Sequence, residues 1–313
     1  MTAFIDLPQV SMPLSRLGHG AAAISGEGGG YGFGQISEAQ SIELLLYAFS
    51  RGINVFDTAP IYGFGSSEIR IGKAFQNIRE KVFLVSKSGI DWPENKRVNL
   101  TNDPAVAARM LDETLARLQT DYIDLYMVHW PDPKVDIRLT LAPLIKAREQ
   151  GKILHLGLCN THLEDLHKAL SVTELLMAQS EYNFFKRDNE KLFPILAQNG
   201  MGFMSWGSLL KGILSGTVNR QRKFDDADAR SWAPWWKAMD KEAMYKSMEN
   251  VSPLLEEHGH SKLELALGFL AKQKAVTTIL VGMRTPAQVD SALAAFDHLP
   301  SEDLLRKLQG ASS

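Results

Sequence analysis

The chain has 313 residues, 45% of them hydrophobic and 22% charged, with a formal net charge of −2 at pH 7; it can bury a sizeable core and offers no global field to attract nucleic acid or an anionic membrane. Cys159 is the only cysteine, which excludes an intrachain disulfide and a cysteine-rich zinc cluster and makes a reducing cytoplasm the expected setting. The N-terminal stretch lacks a basic segment leading into a continuous apolar one, and no run of about 20 uncharged apolar residues follows, so neither export nor a membrane span is expected.

In chain order, the strand-like apolar runs are "RLGHGAAAI" (16–24), "INVFDT" (53–58), "VFLVSK" (82–87), "IDLYMVH" (123–129), "ILHLGLC" (153–159), "LLMAQS" (175–180), "GFMSW" (202–206) and "TTILVG" (277–282). Several are apolar almost throughout, as parallel strands covered on both faces must be. Between them lie amphipathic segments at 37–52, 66–76, 103–120, 137–151, 162–170, 187–200 and 261–273. These carry helix punctuation: Ser37 and Asp103 as N-caps, Pro104 at a first helical position, and Gly52, Gly151 and Gly200 as stops. Strands alternating with helices eight times over predict a (β/α)8 barrel, with residues 1–313 forming one domain. Short apolar pieces around Met12 and Pro13 predict an N-terminal β-hairpin capping the barrel floor, and "SEDLLRKLQG" predicts a final C-terminal helix outside the repeat.

A doubly wound sheet uses the same alternation, but it needs a G-x-G-x-x-G turn straight after the first strand. "GEGGGYGFG" (26–34) offers the G-x-G part of that spacing, at Gly30 and Gly32 among others, yet so glycine-rich a stretch matches it by chance, and no acid follows in the right context on a second strand. A mobile glycine-rich loop is the plainer expectation. The periodicity also lapses from Gly212 to about Tyr245, where "RSWAPWWKAMD" places Trp232, Trp235 and Trp236 in a long connection. Such an insertion is either a loop that closes over a ligand or an aromatic plug against neighbouring helices.

Asp57, Lys87 and His129 end the second, third and fourth strand-like runs, and Tyr62 lies in the loop after the second. In a barrel these positions converge on the C-terminal face, where active sites sit. An ammonium and a carboxylate at one mouth should pair and keep Lys87 charged. A fixed cation beside a phenol should pull Tyr62 below its usual pKa of about 10 and make it a proton donor, while His129 can orient a substrate oxygen. The set suits a carbonyl oxygen gaining negative charge. Metal chemistry is less attractive: His129, Asp57 and Glu68 offer ligands, but no H-E-x-x-H pairing occurs, and there is no G-x-S-x-G elbow.

With these residues in place, the sequence resembles the aldo-keto reductases. "GINVFDTAPIYGFGSSEIRIGKAF" is similar to the family segment bearing the catalytic acid and tyrosine, and "LDETLARLQTDYIDLYMVHWPDP" to the signature leading to the catalytic histidine. "GKILHLGLCN", "QSEYNFF", "GFMSWGSLLKGILSG" and "ILVGMRTPAQVDSAL" continue the match in collinear order from about residue 14 to 295. The resemblance implies a barrel that reduces aldehydes or ketones with NADP(H), NAD(H) being the possible alternative, and a catalytic tetrad of Asp57, Tyr62, Lys87 and His129. It implies that Asn160 and Gln179 hold the nicotinamide carboxamide and that Trp206 stacks on the ring. Leu209, Lys211 and Gly212 would cover the pyrophosphate. Gly282, Arg284 and Gln288 would bind the adenosine phosphate, with Arg284 facing a 2'-phosphate because guanidinium binds phosphate bidentately.

Several positions depart from the family pattern. Cys159 stands where serine is usual, "WGSLLKG" replaces the commoner aromatic-Ser-Pro-Leu-Gly-Arg-Gly, and Ser291 and Ala292 replace a Glu-Asn pair whose asparagine helps hold adenine. The expected partners are a small-molecule carbonyl or alcohol, not nucleic acid or membrane. The same tetrad would serve an NAD(P)-dependent dehydrogenase of a sugar or alcohol, with Tyr62 as base. Members of the family also serve as regulatory subunits of channels, so a cofactor sensor with little turnover is a third expectation. Substrate choice should come from the loops after the first, third and seventh strands, with Trp92, Trp130 and Trp232 lining an apolar pocket.

Overall fold

The computed structural model describes residues 3–26 and 30–312. Two short strands, β1 (Phe4–Ile5) and β2 (Leu14–Ser15), pair antiparallel as the N-terminal hairpin. The chain then runs through β3 (Leu17–Gly20), α1 (Glu38–Ser50), β4 (Val55–Asp57), α2 (Ser66–Phe75) and β5 (Phe83–Ser88). A side hairpin of β6 (Ile90–Asp91) and β7 (Asn99–Leu100) precedes α3 (Pro104–Leu118), β8 (Ile123–Val128), α4 (Ile137–Glu149), β9 (Ile153–Cys159), α5 (Leu163–Leu170) and β10 (Met177–Glu181). Next come α6 (Phe193–Gln198), β11 (Gly202–Trp206), α7 (Ala229–Trp232), α8 (Pro234–Lys237), α9 (Lys241–Glu257), α10 (Lys262–Ala271), β12 (Val276–Val281), α11 (Pro286–Asp297) and α12 (Glu302–Ala311). Strands β3, β4, β5, β8, β9, β10, β11 and β12 pair in parallel, each with the next, and β12 returns to β3 through Ile279 opposite Leu17. Closure of that ring decides for the barrel over the doubly wound sheet.

The helix boundaries follow the chemistry expected of them. Ser37 and Gln40 form a reciprocal capping box at the start of α1, and the Asp103 carboxylate accepts from the amides of Ala105 and Val106 at the start of α3. Gly52, Gly151 and Gly200 take left-handed φ values of 93°, 76° and 63° just beyond α1, α4 and α6. Two boundaries differ from expectation. The first strand stops at Gly20 and Ala21–Ile24 turns as a 3-10 helix, since a run of alanines has little to pack on a pleated surface. Of the segment 187–200, only Phe193–Gln198 is α-helical: Pro194 lacks an N–H and crowds the preceding turn, so 188–192 is a tighter 3-10 helix.

Alternation along the strands divides the interior into two layers. Val55, Phe83, Val85, Leu125, Met127, Cys159, Met177 and Met204 point inward and fill the barrel, joined at one end by Leu14 and by the hairpin residues Ile5, Leu7, Val10 and Met12. Their neighbours Phe56, Leu84, Tyr126, Val128, Leu158, Ala178 and Phe203 point outward into the larger core beneath the helices. Among the described residues, no helix is long and apolar enough to cross a membrane.

Candidate active site

The same alternation places the next inward residue beyond each apolar layer at the barrel mouth. After Val55 it is Asp57, after Val85 it is Lys87, after Met127 it is His129, and after Met177 it is Gln179. Lys87 is wholly buried, and its ammonium donates to Asp57 Oδ1 and Oδ2 at 2.9 and 2.7 Å and to the Thr58 carbonyl at 2.8 Å. Those contacts match its three N–H donors. Gln179 Nε2 also donates to Asp57 Oδ2 at 2.7 Å, and the Cys159 thiol donates to Gln179 Oε1 at 3.2 Å. Asn160 Nδ2 donates to the His129 carbonyl at 2.9 Å, and the Trp206 indole N–H donates to Asn160 Oδ1 at 3.0 Å. One hydrogen-bonded chain thus joins strands β4, β5, β9, β10 and β11.

Tyr62 reaches this group from the loop after β4. That loop is held by close backbone approach: the Gly63 amide donates to the Gly30 carbonyl at 3.0 Å, and a Cβ on Gly30 would stand 2.6 Å from the Gly63 nitrogen, so no larger residue fits there. The Tyr62 ring lies edge-on to the His129 ring at 6.2 Å, and Lys87 Nζ lies 5.6 Å from the centre of the Tyr62 ring. Tyr62 keeps partial exposure to the mouth.

The expectation of an acidified phenol is corrected here. Burial pushes the Tyr62 phenol above its ordinary range; Lys87 pulls the other way but loses to it. Burial alone would drive the Lys87 ammonium down, yet Asp57 and the smaller contributions of Tyr62 and Cys159 outweigh it and hold the amine above its usual value. His129 is held well below its ordinary value, first by burial and then by Lys87, so its imidazole is neutral at pH 7. Burial pushes the Cys159 thiol up to about 12, leaving it a neutral donor.

The expected cofactor residues line the same face. Trp206 at the end of β11 is half-buried, with its indole fixed by Asn160. Beyond it the backbone turns left-handed at Leu210, Lys211 and Gly212, with φ values of 47°, 55° and 103°. Two consecutive non-glycine residues in that region are costly, and such turns form backbone concavities suited to a phosphate. This geometry, with the fixed indole beside it, fits a nicotinamide dinucleotide. Leu209 packs against the outer core, and the Lys211 ammonium pairs with Glu181 while lying 5.4 Å from the Trp206 ring.

Gly282 follows β12, and the Arg284 amide donates to Gln288 Oε1 at 2.7 Å, closing the turn into α11. The Arg284 guanidinium donates to the carbonyls of Phe33 and Gln35 at 2.6 and 2.5 Å, so two of its forks already hold the loop after β3. Ala292 is buried in the outer core, whereas Ser291 is exposed.

A fastening of the mouth went unread in the sequence. The Ala229 amide donates to the Gly32 carbonyl at 3.0 Å, and Phe33 bridges to Asp228. Arg230 donates to both Asp228 oxygens and, at 2.8 Å, to the Lys211 carbonyl, while stacking over Phe224 and Phe33 at 4.2 and 5.2 Å. The arginine inside "RSWAPWW" was the available signal, overshadowed by its tryptophans. Those tryptophans divide the two expectations: Trp236 is buried as a plug, whereas Trp232 meets Tyr31 of the glycine-rich loop at 5.7 Å. Residues 27–29 of that glycine-rich loop lie outside the described residues. Trp92 packs on Phe64 at 5.4 Å, and Trp130 lies 6.5 Å from Trp206 with 40% of its surface exposed.

A family model described as the Aldo/keto reductase family matches residues 16–312. The chain belongs to the aldo/keto reductase family. The aldo-keto reductase YhdN of Bacillus subtilis is 32% identical, covering 92% of this chain and 87% of its own length. An NADH-specific methylglyoxal reductase of Escherichia coli is also 32% identical, covering 94% of this chain and 93% of its own. Among solved structures, the glycerol dehydrogenase of Gluconobacter oxydans superposes with a TM-score of 0.86 at 30% identity, over 98% of this chain and 94% of that one. As an aldo/keto reductase, the protein is an NAD(P)H-dependent oxidoreductase acting on carbonyl and CH–OH groups.

Proposed function

We propose that this aldo/keto reductase reduces a small aldehyde or ketone with NADPH, and that Tyr62 is the proton donor. The observation that carries the reading is the buried Lys87–Asp57 pair beneath the Tyr62 ring, with Lys87 Nζ 5.6 Å from its centre and the neutral His129 6.2 Å across the mouth. The bound dinucleotide would supply a hydride to the carbonyl carbon. His129 would donate a hydrogen bond to the carbonyl oxygen and orient it. As negative charge builds on that oxygen, the Tyr62 hydroxyl would transfer its proton, and the Lys87 ammonium would stabilise the phenolate left behind. Asp57 is a positioning residue that keeps Lys87 charged and fixes Gln179.

For the cofactor, Asn160 and Gln179 are proposed to hold the carboxamide, Trp206 to face the ring, and Leu209, Lys211 and Gly212 to cover the pyrophosphate. Gly282, Arg284 and Gln288 are proposed for the adenosine end. A 2'-phosphate reaching Arg284 has to compete with two loop carbonyls, so the preference for NADPH over NADH should be modest.

The glycerol dehydrogenase likeness favours a second direction, oxidation of a small alcohol, in which the Tyr62 phenolate would accept the proton. Steady-state turnover decides between them: NADPH and NADH oxidation with methylglyoxal and a panel of aldehydes and ketones, against NADP and NAD reduction with glycerol and a panel of alcohols. Turnover on carbonyls supports the first reading and turnover on alcohols alone the second. Tight cofactor binding without turnover on either panel overturns both and favours a cofactor sensor.

A further inference from the structure

On the outer helix layer, two histidines and a glutamate from distant parts of the chain meet. His260 immediately precedes Ser261, the N-cap of α10; Glu264 lies in the first turn of that helix; and His298 follows the last residue of α11. Glu264 Oε2 lies 3.0 Å from His260 Nδ1, and Oε1 lies 3.2 Å from His298 Nδ1. The three ligand atoms all lie within 4.8 Å of one another, and the two imidazole rings are tilted together at 4.6 Å.

We propose that His260, Glu264 and His298 form a binding site for a divalent transition-metal ion, zinc being the ion that the donor set fits best. Two imidazole nitrogens and one carboxylate oxygen are zinc ligands, and bonds of about 2.0–2.1 Å put neighbouring corners of a zinc tetrahedron about 3.3 Å apart. The His260 Nδ1–Glu264 Oε2 edge, at 3.0 Å, is already near that length, while His298 Nδ1 meets the other carboxylate oxygen, Oε1, at 3.2 Å. An ion would replace the two shared N–H protons, both imidazoles coordinating through Nδ1. The two edges that involve His298 close by turning that residue, whose side chain is 63% exposed and has room to move. The fourth position opens to solvent and would carry water.

The glutamate is organised in advance for this role. Its Oε2 accepts from the Ser261 amide at 2.9 Å as half of a capping box, and its side chain is only 16% exposed. Burial raises the tendency of Glu264 to hold a proton, but the hydrogen bonds from Ser261, His260 and His298 outweigh it and keep the carboxylate ionised. A bound ion would tie the turn between α9 and α10 to the C-terminal end of α11, the helix that begins beside Arg284.

The test titrates zinc chloride into the full-length protein in a calorimeter after dialysis against EDTA. One equivalent per chain is expected, and zinc should raise the unfolding temperature. Changing an outer partner of a metal site typically costs tenfold or more, so removing a ligand by His298→Ala or Glu264→Gln should weaken zinc by at least about tenfold and abolish the thermal shift. Glutamine at 264 preserves the capping box, and the exposed His298→Ala should unfold at the wild-type temperature without metal, so loss of binding would not reflect misfolding. Cobalt chloride should give the visible absorption of a four-coordinate site in wild type and not in the variants. Zinc affinity unchanged in both variants would place the ion elsewhere and overturn the proposal, as would the absence of binding at millimolar zinc.

Discussion

Lys87 Nζ lies 2.7 and 2.9 Å from the two carboxylate oxygens of Asp57, and the ammonium has no solvent exposure at all. A buried cation so held depends on its counterion far more than a surface pair would. Asp57→Asn keeps the side-chain shape while removing the charge, so it should cost about 3–5 kcal/mol of folding stability, read as a lower denaturant midpoint. A loss below about 1 kcal/mol, the scale of surface pairs, would show that the pair is screened by solvent in the folded protein.

The pH dependence of turnover follows from the same burial. His129 has its pKa lowered, so it is already neutral below its ordinary value of about 6.5 and stays neutral as pH rises. Tyr62 has its pKa raised, so the proton proposed to serve reduction remains bound through neutral pH and is lost only on the alkaline side. Reduction should therefore show no inflection near pH 6.5 in kcat/KM, and alcohol oxidation should climb as pH rises toward the Tyr62 ionisation. An acid-side inflection near 6.5 that disappears in His129→Gln would mean that the imidazole titrates in the working range.

Arg284 carries a double expectation. Its guanidinium holds the Phe33 and Gln35 carbonyls, and it is the candidate cation for a 2'-phosphate. Arg284→Ala should weaken NADPH more than NADH in fluorescence titrations and should speed amide hydrogen exchange across residues 33–36. Equal loss for both cofactors would leave Arg284 as a loop anchor alone.

Much of this architecture was legible in the residues because parallel strands, covered on both faces, read as apolar runs. The polar side chain at a run's end then marks the mouth: Asp57, Lys87 and His129 were read in that way, whereas Gln179 came from the family resemblance. The misread places are those where tertiary packing decides. Ala21–Ile24 continued an apolar run yet left the sheet, and Pro194 shortened a helix that periodicity had drawn longer. For Tyr62 the sequence named the opposing influences but not their balance, which rests on how much protein surrounds the phenol. The fastening of Arg230 to Lys211 and the meeting of His260 with His298 join residues whose spacing matches no local motif.

The central claim, that Tyr62 supplies the proton at this mouth, is tested most directly by single-turnover reduction of the best carbonyl substrate by enzyme-bound NADPH in wild type and Tyr62→Phe. The substitution deletes the hydroxyl and keeps the ring, so the rate of hydride transfer should fall by about two to four orders of magnitude while the dissociation constant for NADPH stays close to wild type. A transfer rate near that of wild type, with cofactor bound equally well, would contradict the account and assign the proton to another group.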